Sequence, residues 1–266
     1  MMLINGQEQN RVDASDRGLA YGDGLFETIE FKDGHLVYWD EHMHRLTSGC
    51  KQLQIKAIDV SILADECLRC TQGHTSGIIK IIVTRGSGAR GYRPHANANT
   101  TRVISFHSKP DYPARYYSEG ISLTRCATPV SINPYLAGLK SLSRLDQVMA
   151  QMEWSDQDYA EGLMLSPDEN VIEGTKSNMF MVRNGELLTP SLEMCGIEGI
   201  MRQQVLRLAQ ESDLPVQICN IKHEDFIQAD EIFVCNSLIK IWPVSHYLNR
   251  SYPIGPVTSM ILKKLI

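Results

Sequence analysis

Two hairpin signatures, one in each half of the chain, constrain the fold more than any other feature of the sequence. In the first half, Lys32-Asp33-Gly34 separates the strand candidates Leu25 to Phe31 and His35 to Tyr38. In the second half, Asn184-Gly185 stands between two short, largely apolar runs. Asx-Gly dipeptides supply the positive φ angles that tight hairpin turns need. Antiparallel strand pairs are therefore predicted in both halves.

Helical periodicity separates the predicted strands. Apolar residues at steps of three and four predict helices from Glu41 to Gln54 and from about Ser141. The second helix would present one apolar stripe, formed by Leu142, Leu145, Val148, Met149 and Met152. Gly77 to Thr84 is predicted as a buried strand, and Arg102 to His107 as another. This mixture of hairpins and helices predicts a mixed α/β (α+β) protein in two lobes.

A polar stretch punctuated by Pro110 and Pro113 lies between the two halves. Prolines in a polar stretch mark a loop, so we interpret this stretch as a linker. We expect an N-terminal α/β lobe over residues 1–109, a linker over 110–119 and a C-terminal lobe over 120–266. A chain of 266 residues is long enough for two domains.

Composition argues against several classes of partner. The net charge is −5 and no block of basic residues occurs, so a nucleic-acid surface is not expected. No apolar run reaches the roughly 18 residues of a membrane span. The N-terminus, MMLINGQEQN, lacks the pattern of a secretory signal. Seven scattered cysteines fit a reducing cytosol better than a disulfide framework, so we expect a cytoplasmic protein.

Two groupings contain residue types that bind metals. Cys67 and Cys70 form a CxxC, but no second pair stands at the spacing of a zinc site, which favours buried or half-buried thiols. His42 and His44 lie in a predicted helix, where ligands on one face are three or four residues apart. Being two residues apart, they point in different directions. We therefore expect no metal.

Three charged residues are candidates for chemistry, although each also has an ordinary interpretation. Lys140 ends the apolar loop Leu136 to Leu139, where desolvation would lower its pKa and let its neutral amine bond to a carbonyl carbon. Glu173 ends a predicted strand and is either a partner for a pyridinium nitrogen or a turn carboxylate. Arg45 either clamps a phosphate or lies on a solvated helix face.

Two further segments suit an anion. Gly196 to Arg202 is a glycine-bounded turn that enters a helix, where free backbone N–H groups and the helix dipole favour negative charge. An ordinary helix start is the alternative. Asn236-Ser237 follows a strand end and could add a second set of donors.

The joint order of these segments resembles the fold-type IV pyridoxal-phosphate enzymes, which include branched-chain aminotransferases, D-amino acid transaminases and aminodeoxychorismate lyases. The segments that carry the resemblance are YGDGLFET (21–28), EHMHRL (41–46), NPYLAGLKSLSRLDQVM (133–149), VIEGTKSNMF (171–180), GIEGIMRQ (196–203) and Cys235 to Val244. The resemblance implies a small N-terminal α/β sandwich and a larger, cofactor-binding pseudo-barrel lobe. It also implies a homodimer that binds pyridoxal 5′-phosphate.

The resemblance implies a role for individual residues. Lys140 would hold the cofactor covalently and later move protons, and Glu173 would face the pyridine nitrogen. The residues matching those that bind the phosphate are Arg45, Ile200, Met201, Asn236 and Ser237. Met201 replaces a threonine common in transaminases, so a hydroxyl donor is absent there.

Within the family, RGSGARGY at Arg85 to Tyr92 and Thr28 in GLFET are similar to the aminodeoxychorismate lyases. This implies conversion of 4-amino-4-deoxychorismate to 4-aminobenzoate and pyruvate, a step of folate biosynthesis. Thr28 would assist proton transfer or orient the substrate, while Arg90 and Tyr92 would contact its carboxylates. A D- or branched-chain amino acid transaminase is the alternative. A non-catalytic protein on the same scaffold is a third interpretation, which the retained lysine and glutamate disfavour.

Overall fold

The computed structural model describes residues 1–88, 90–95, 98–155 and 159–265, which divide into two compact units. The first unit contains Met1–Asp111 and Leu139–Ser143, and the second contains Tyr112–Gly138 and Arg144–Ile266. The mixed α/β fold predicted from the sequence is confirmed. Within the described ranges, none of the helices combines the length and the hydrophobicity that crossing a bilayer requires.

The first unit is an antiparallel sheet with helices packed on it. Its elements are β1 (Met2–Ile4), β2 (Gln7–Glu8), α1 (Arg17–Tyr21), β3 (Gly24–Lys32), β4 (His35–Leu36), α2 (Trp39–Gln52), α3 (Val60–Cys70), β5 (Ser76–Thr84) and β6 (Thr101–His107). The strand order is β2-β1-β6-β5-β3-β4. All neighbouring pairs are antiparallel.

The hairpin predicted at Asp33-Gly34 is confirmed by φ angles of 51° and 82° and by the pairing of the flanking residues. The helix predicted from Glu41 is α2, which begins two residues earlier. Its apolar side chains, Met43 and Leu46 among them, pack with residues of β3 and β5 in one core. Local turn chemistry and helical periodicity therefore account for these elements.

The CxxC cysteines lie on α3 and face the same core. Cys67 and Cys70 are both free and buried, and burial raises the pKa of each thiol. The interpretation as buried thiols is confirmed.

The second unit is dominated by a ten-stranded sheet. Its elements are α4 (Arg115–Ser118), β7 (Ile121–Arg125), α5 (Leu145–Gln151), β8 (Glu161–Leu165), β9 (Asn170–Gly174), β10 (Asn178–Arg183), β11 (Glu186–Pro190), α6 (Ile200–Glu211), β12 (Val216–Cys219), β13 (Ile221–Lys222), α7 (His223–Ile227), β14 (Glu231–Asn236), β15 (Lys240–Tyr247), β16 (Arg250–Ser251) and α8 (Pro256–Leu265). The strand order is β12-β11-β10-β14-β15-β7-β8-β9-β13, and β16 pairs with β15.

Six strands of this sheet, from β10 through β14, β15, β7 and β8 to β9, close into a ring. The closure is made by a pairing between β9 and β10, in which Glu173 lies opposite Asn178. This ring is the pseudo-barrel that the resemblance implied. The predicted Asn184-Gly185 turn joins β10 to β11, with φ angles of 53° and 77°. The candidate glutamate therefore stands at the seam of the ring.

The helix predicted from Ser141 begins instead at Leu145. Residues 139–143 are not helical because they hydrogen-bond to β3, where Phe26 N–H donates to the Lys140 carbonyl at 3.0 Å and Leu142 N–H to the Gly24 carbonyl at 3.0 Å. The predicted apolar stripe does not face the core of the second unit. Its members on and next to α5 are exposed, and the buried residues of this helix are Gln147 and Ala150.

The interval 110–119, predicted as a linker, contains the helical turn α4. Tyr112 and Tyr116 pack edge-on against Trp242, with ring centroids 4.8 and 5.0 Å apart. Aromatic contacts of this kind anchor the segment to the second unit.

Candidate active site

Lys140 lies in the first unit, on the segment 139–143 that hydrogen-bonds to β3. Its Nζ atom is 4.4 Å from the centroid of the Phe26 ring, and the side chain is half-buried. A cation over an aromatic face is stabilised by the ring quadrupole. The hydrogen bond from the Phe26 N–H to the Lys140 carbonyl fixes the backbone of Lys140 beside β3. The lysine amine lies at the face of β3 that carries Phe26.

Lys80 faces the same aromatic ring, and sequence reasoning did not select it as a functional residue. Its Nζ atom is 5.6 Å from the Phe26 centroid. Lys80 on β5 is the cross-strand partner of Thr28, which shares a face of β3 with Phe26. The available signal was a single lysine inside the apolar run GIIKIIVT. Two amines and a hydroxyl-bearing side chain thus lie around one phenylalanine.

Arg45 lies on α2 and is paired with Glu27, which faces the other side of β3. Arg45 Nε donates to Glu27 Oε1 at 2.8 Å, and one terminal nitrogen donates to Oε2. The Nδ1 atom of His42 lies 2.7 Å from Glu27 Oε2. His42 and Glu27 are 0% and 1% exposed, and the Arg45 side chain is 12% exposed. Arg45 is therefore not on a solvated helix face.

The charges of this cluster follow from its contacts. Burial raises the pKa of a carboxyl group, but the Arg45 guanidinium and the His42 N–H outweigh burial and hold the pKa of Glu27 at about 2. Burial lowers the pKa of His42, and the opposing effect of Glu27 does not reverse the shift. Near neutral pH, Glu27 is thus ionised beside a charged arginine and a neutral histidine.

Arg90 and Tyr92 belong to an exposed loop of the first unit, and Tyr92 is 87% exposed. The backbone of this loop is fixed by Arg17, which donates to the carbonyls of Gly91 at 2.9 Å and Tyr92 at 2.8 Å. Ala89, within the same predicted motif, lies outside the described residues. The described part presents Arg90 and Tyr92 to solvent from an anchored backbone.

Glu173 lies in the second unit, at the seam of the ring, and is 3% exposed. Its Oε2 atom accepts a hydrogen bond from the Ile197 N–H at 2.7 Å, and Oε1 accepts one from Gln147 Nε2 at 3.2 Å. Burial lowers the pKa of Arg144, while the charge of Glu173 acts in the opposite direction. Glu173 is therefore a positioned, buried carboxylate, as a partner for a buried cation requires.

The segment 196–199 is held from both sides before α6 begins. Asn178 Nδ2 donates to the Ile197 carbonyl at 2.8 Å, and Glu198 N–H donates to the Gly138 carbonyl at 3.1 Å. The N-cap of α6 is Gly199, which supplies no capping side chain. A Cβ atom there would lie 1.9 Å from Asn178 Oδ1, so any other residue would have to displace the Asn178 side chain.

Ile200 and Met201 are the first two residues of α6, and both are buried. The first N–H groups of a helix have no acceptor within the helix. Without a capping side chain at Gly199, these N–H groups and the helix dipole make the start of α6 suitable for an anion.

Asn236 is the last residue of β14 and Ser237 follows it in a turn, which the Asn236 side chain holds in place. Its Oδ1 atom accepts hydrogen bonds from the Leu238 and Ile239 N–H groups, both at 2.9 Å. Its Nδ2 atom donates to the Lys176 carbonyl at 2.9 Å. The Asn236 carboxamide therefore shapes the loop that carries Ser237.

Each unit thus contains groups with a different kind of chemistry. The first offers the amine of Lys140 and the guanidinium of Arg45, and the second offers the buried carboxylate of Glu173 and the uncapped start of α6. The first set suits carbonyl chemistry and anion binding, and the second suits a cationic ring and an anion.

Known proteins share this architecture over the whole chain. The profile of the amino-transferase class IV family matches residues 24–247. An aminodeoxychorismate lyase of Vibrio harveyi is 36% identical over 262 residues, which cover 97% of each chain. The crystal structure of 4-amino-4-deoxychorismate lyase from Pseudomonas aeruginosa has a TM-score of 0.96 at 40% identity, covering 100% of this chain and 98% of that one. A branched-chain aminotransferase of Escherichia coli has a TM-score of 0.88 at 25% identity, covering 98% and 92%. The chain therefore belongs to the class IV aminotransferase family.

Proposed function

We propose that this protein is a pyridoxal-phosphate-dependent lyase that converts 4-amino-4-deoxychorismate to 4-aminobenzoate and pyruvate. The observation that carries the proposal is the similarity of the chain to two aminodeoxychorismate lyases, at 36% and 40% identity over nearly the full length. The surroundings of Lys140 support it. The substrate carries two carboxylates, and Lys80 places a second cation beside the same phenylalanine ring.

The chemistry of each proposed donor suits one group of pyridoxal phosphate. The buried Glu173 carboxylate suits a protonated pyridine nitrogen, while Arg45 and the N–H groups of Ile200 and Met201 suit the phosphate. Ser237 adds a hydroxyl, on a turn that Asn236 shapes. When bound, pyridoxal phosphate withdraws electrons from the carbon next to the substrate nitrogen.

Lys140 is proposed to hold the cofactor and then to remove the proton at C4 of the substrate ring with its Nζ atom. Thr28, on the face of β3 that carries Phe26, orients the substrate or assists this proton transfer. Lys80, Arg90 and Tyr92 are proposed to contact the carboxylates. Loss of the C4 proton and of enolpyruvate makes the ring aromatic, which provides a driving force that transamination lacks.

The test is incubation of the purified protein with 4-amino-4-deoxychorismate. 4-Aminobenzoate and pyruvate should appear in equal amounts without a keto-acid co-substrate. Borohydride reduction should fix the cofactor to the Lys140 peptide; label on Lys80 would refute the assignment of the lysine. Efficient transamination of D-alanine or leucine with 2-oxoglutarate, and no 4-aminobenzoate, would favour the transaminase alternative.

We also propose that the protein is a cytoplasmic homodimer. An exposed apolar surface of the second unit, here called the α5 patch, supports association with a second copy. It is formed by Ile132, Tyr135, Leu145, Val148, Met149, Met152 and Met194. Contacts from Ser131 N–H to Asp146 Oδ2 at 2.8 Å and from Asn133 N–H to the Met194 carbonyl at 3.0 Å join its parts. Contiguous exposed apolar surfaces mark interaction sites.

The α5 patch can be tested in solution. Leu145 and Met149 are 76% and 54% exposed, so replacing both with glutamate should preserve the fold and yield a monomer in sedimentation experiments. Leu68→Glu, at a half-exposed leucine on α3, is the matched control and should stay dimeric. A wild-type monomer with full activity would contradict the proposal.

A further inference from the structure

The buried Glu27–His42 pair has no role in the function proposed above. Glu27 nevertheless contacts Arg45, which is proposed to bind the phosphate of the cofactor. Glu27 and His42 lie on β3 and α2 and are almost wholly buried. Burial of an ionised carboxylate is costly unless partners compensate for the lost hydration. Apolar residues in place of a buried ion pair are often equally stabilising. Stability alone therefore does not explain the contact between Glu27 and Arg45.

Glu27 determines how the Arg45 side chain is oriented. Two nitrogens of the guanidinium donate to the two carboxylate oxygens, Nε to Oε1 at 2.8 Å and a terminal nitrogen to Oε2. Such a bidentate pair fixes the plane of the guanidinium as well as its position. It therefore also fixes the direction of the remaining N–H groups of Arg45.

His42 in turn fixes Glu27. The His42 Nδ1 atom lies 2.7 Å from Glu27 Oε2, whereas His42 Nε2 is buried and has no hydrogen-bond partner among the described residues. A proton on Nε2 would be a buried donor without an acceptor, which is costly. The proton is therefore assigned to Nδ1, where it is donated to the carboxylate.

We infer that Glu27 is a positioning residue that aligns Arg45 for the phosphate of the cofactor, and that His42 positions Glu27. The inference rests on the proposed function, in which Arg45 binds the phosphate. Glu27 acts through Arg45 and does not itself touch the ligand. Glu27 therefore affects binding of the phosphate and not binding of the pyridine ring.

Charge and alignment make opposite predictions for Glu27→Gln. If Glu27 only neutralised Arg45, its removal would leave more positive charge and tighten phosphate binding. If Glu27 aligns Arg45, the amide of glutamine disrupts the pair because its NH2 group cannot accept a hydrogen bond from the guanidinium. The direction of the change in affinity thus separates the two mechanisms.

The experiment is titration of the cofactor-free, full-length protein with pyridoxal phosphate and, separately, with pyridoxal. Loss of a charge-assisted contact corresponds to about a tenfold change in affinity. Glu27→Gln should weaken pyridoxal phosphate about tenfold and leave pyridoxal within about twofold. Unchanged or tighter binding of pyridoxal phosphate would overturn the inference, and so would an equal loss for both ligands.

The control variant is Arg45→Ala. It should also weaken pyridoxal phosphate selectively, and in its background Glu27→Gln should have no further effect on that affinity. If Arg45→Ala leaves the affinity unchanged, the proposed phosphate role of Arg45 fails. If Arg45→Ala weakens binding and Glu27→Gln does not, only the positioning inference fails.

Two variants of His42 keep the inference testable if Glu27→Gln does not fold. His42→Asn retains an N–H donor near the position of Nδ1, whereas His42→Phe removes it while keeping a planar ring. The phenylalanine variant should lose affinity for pyridoxal phosphate, and the asparagine variant should regain most of it. Equal affinities in the two variants would overturn the role of His42.

Discussion

Glu27 and Glu173 are both buried carboxylates, at 1% and 3% exposure, but different partners hold them. Glu27 forms a bidentate pair with Arg45, so its charge is balanced by a neighbouring cation. Glu173 accepts hydrogen bonds from the Ile197 N–H and the Gln147 carboxamide, and Arg144 adds a Coulombic attraction. Hydrogen bonds from a backbone N–H and a carboxamide therefore orient the Glu173 carboxylate.

The charge of Glu27 orients a side chain of its own unit, whereas the charge of Glu173 is proposed to act on a ligand. Glu27 aligns Arg45, and its ionisation matters through that arginine. Glu173 is proposed to meet the protonated pyridine nitrogen, so its charge acts on the cofactor directly. Removing each charge should therefore change a different measurement.

The largest effect is expected for Glu173→Gln. The amide cannot stabilise a pyridinium by charge, and the loss of such a partner costs about 3 kcal/mol, or about a hundredfold in turnover. The measurement is the rate of 4-aminobenzoate formation at saturating pyridoxal phosphate.

The matched control for Glu173→Gln is Glu231→Gln. Glu231 is equally buried in the same unit and accepts hydrogen bonds from the Val257 and Thr258 N–H groups at the start of α8. Its variant should lose stability and keep its turnover. Normal turnover in Glu173→Gln, or a hundredfold loss of turnover in Glu231→Gln, would contradict a specific action of the Glu173 charge on the cofactor.

Gln147→Leu should have a smaller effect of the same kind. It removes the donor to Glu173 Oε1, and a buried hydrogen bond to a charged group is worth about 1.5 kcal/mol, or about tenfold in turnover. The pH dependence of the visible absorbance of the bound cofactor should shift as well, because the environment of its pyridine nitrogen changes. Gln151→Leu is the control, since Gln151 on the same helix donates to Thr175 instead. An equal shift in both variants would show a general effect of α5.

Arg45 and Lys80 are two cations of the first unit that differ in their partners. Arg45 is paired with a carboxylate of the protein, whereas no described residue offers Lys80 a carboxylate within ion-pair distance. Lys80→Met should therefore raise the KM for 4-amino-4-deoxychorismate, by about fivefold for a half-buried contact. Lys80→Arg should restore most of the loss, and the affinity for pyridoxal phosphate should change little. An unaltered KM in Lys80→Met would exclude a contact with the substrate.

The sequence predicted those features that depend on neighbouring residues. The turns at Asp33-Gly34 and Asn184-Gly185 follow from local φ preferences, and the buried face of α2 follows from helical periodicity. The helix predicted to begin near Ser141 begins four residues later, at Leu145, because hydrogen bonds to β3 override local periodicity between residues 139 and 143. The exposure of the apolar stripe on α5 was not predictable, because periodicity predicts an apolar face without saying whether the same chain covers it.

The site was predictable only in part, for a similar reason. The roles of Lys140, Glu173 and Arg45 were implied by the family resemblance and stay predictions. Lys80 and Glu27 were missed because their neighbours come from distant parts of the chain. Each does leave a signal, since a charged residue within an otherwise apolar strand needs a partner. The identity of that partner depends on cross-strand register and helix packing, which the local pattern does not contain.

The smallest expected effect concerns acid stability. The pKa of Glu27 is lowered from its ordinary value of 4.5 to about 2 in the folded protein. A carboxyl group with a depressed pKa contributes stability that is present above pH 4.5 and is lost as the pH falls towards 2. The loss between pH 6 and pH 4 is about 1 kcal/mol, which urea denaturation can resolve.

Two variants separate this contribution from that of His42, whose lowered pKa acts in the same direction. Because the unfolded chain protonates its histidine more readily than the folded protein does, His42 also costs stability as the pH falls below its ordinary value of 6.5. His42→Asn removes that part and keeps a donor to Glu27, so its stability should still fall below pH 5. His42→Asn combined with Glu27→Gln should show a shallower decline over the same range. If both variants lost stability equally between pH 6 and pH 4, Glu27 would not be held ionised by Arg45, and the contrast with Glu173 would lose its electrostatic basis.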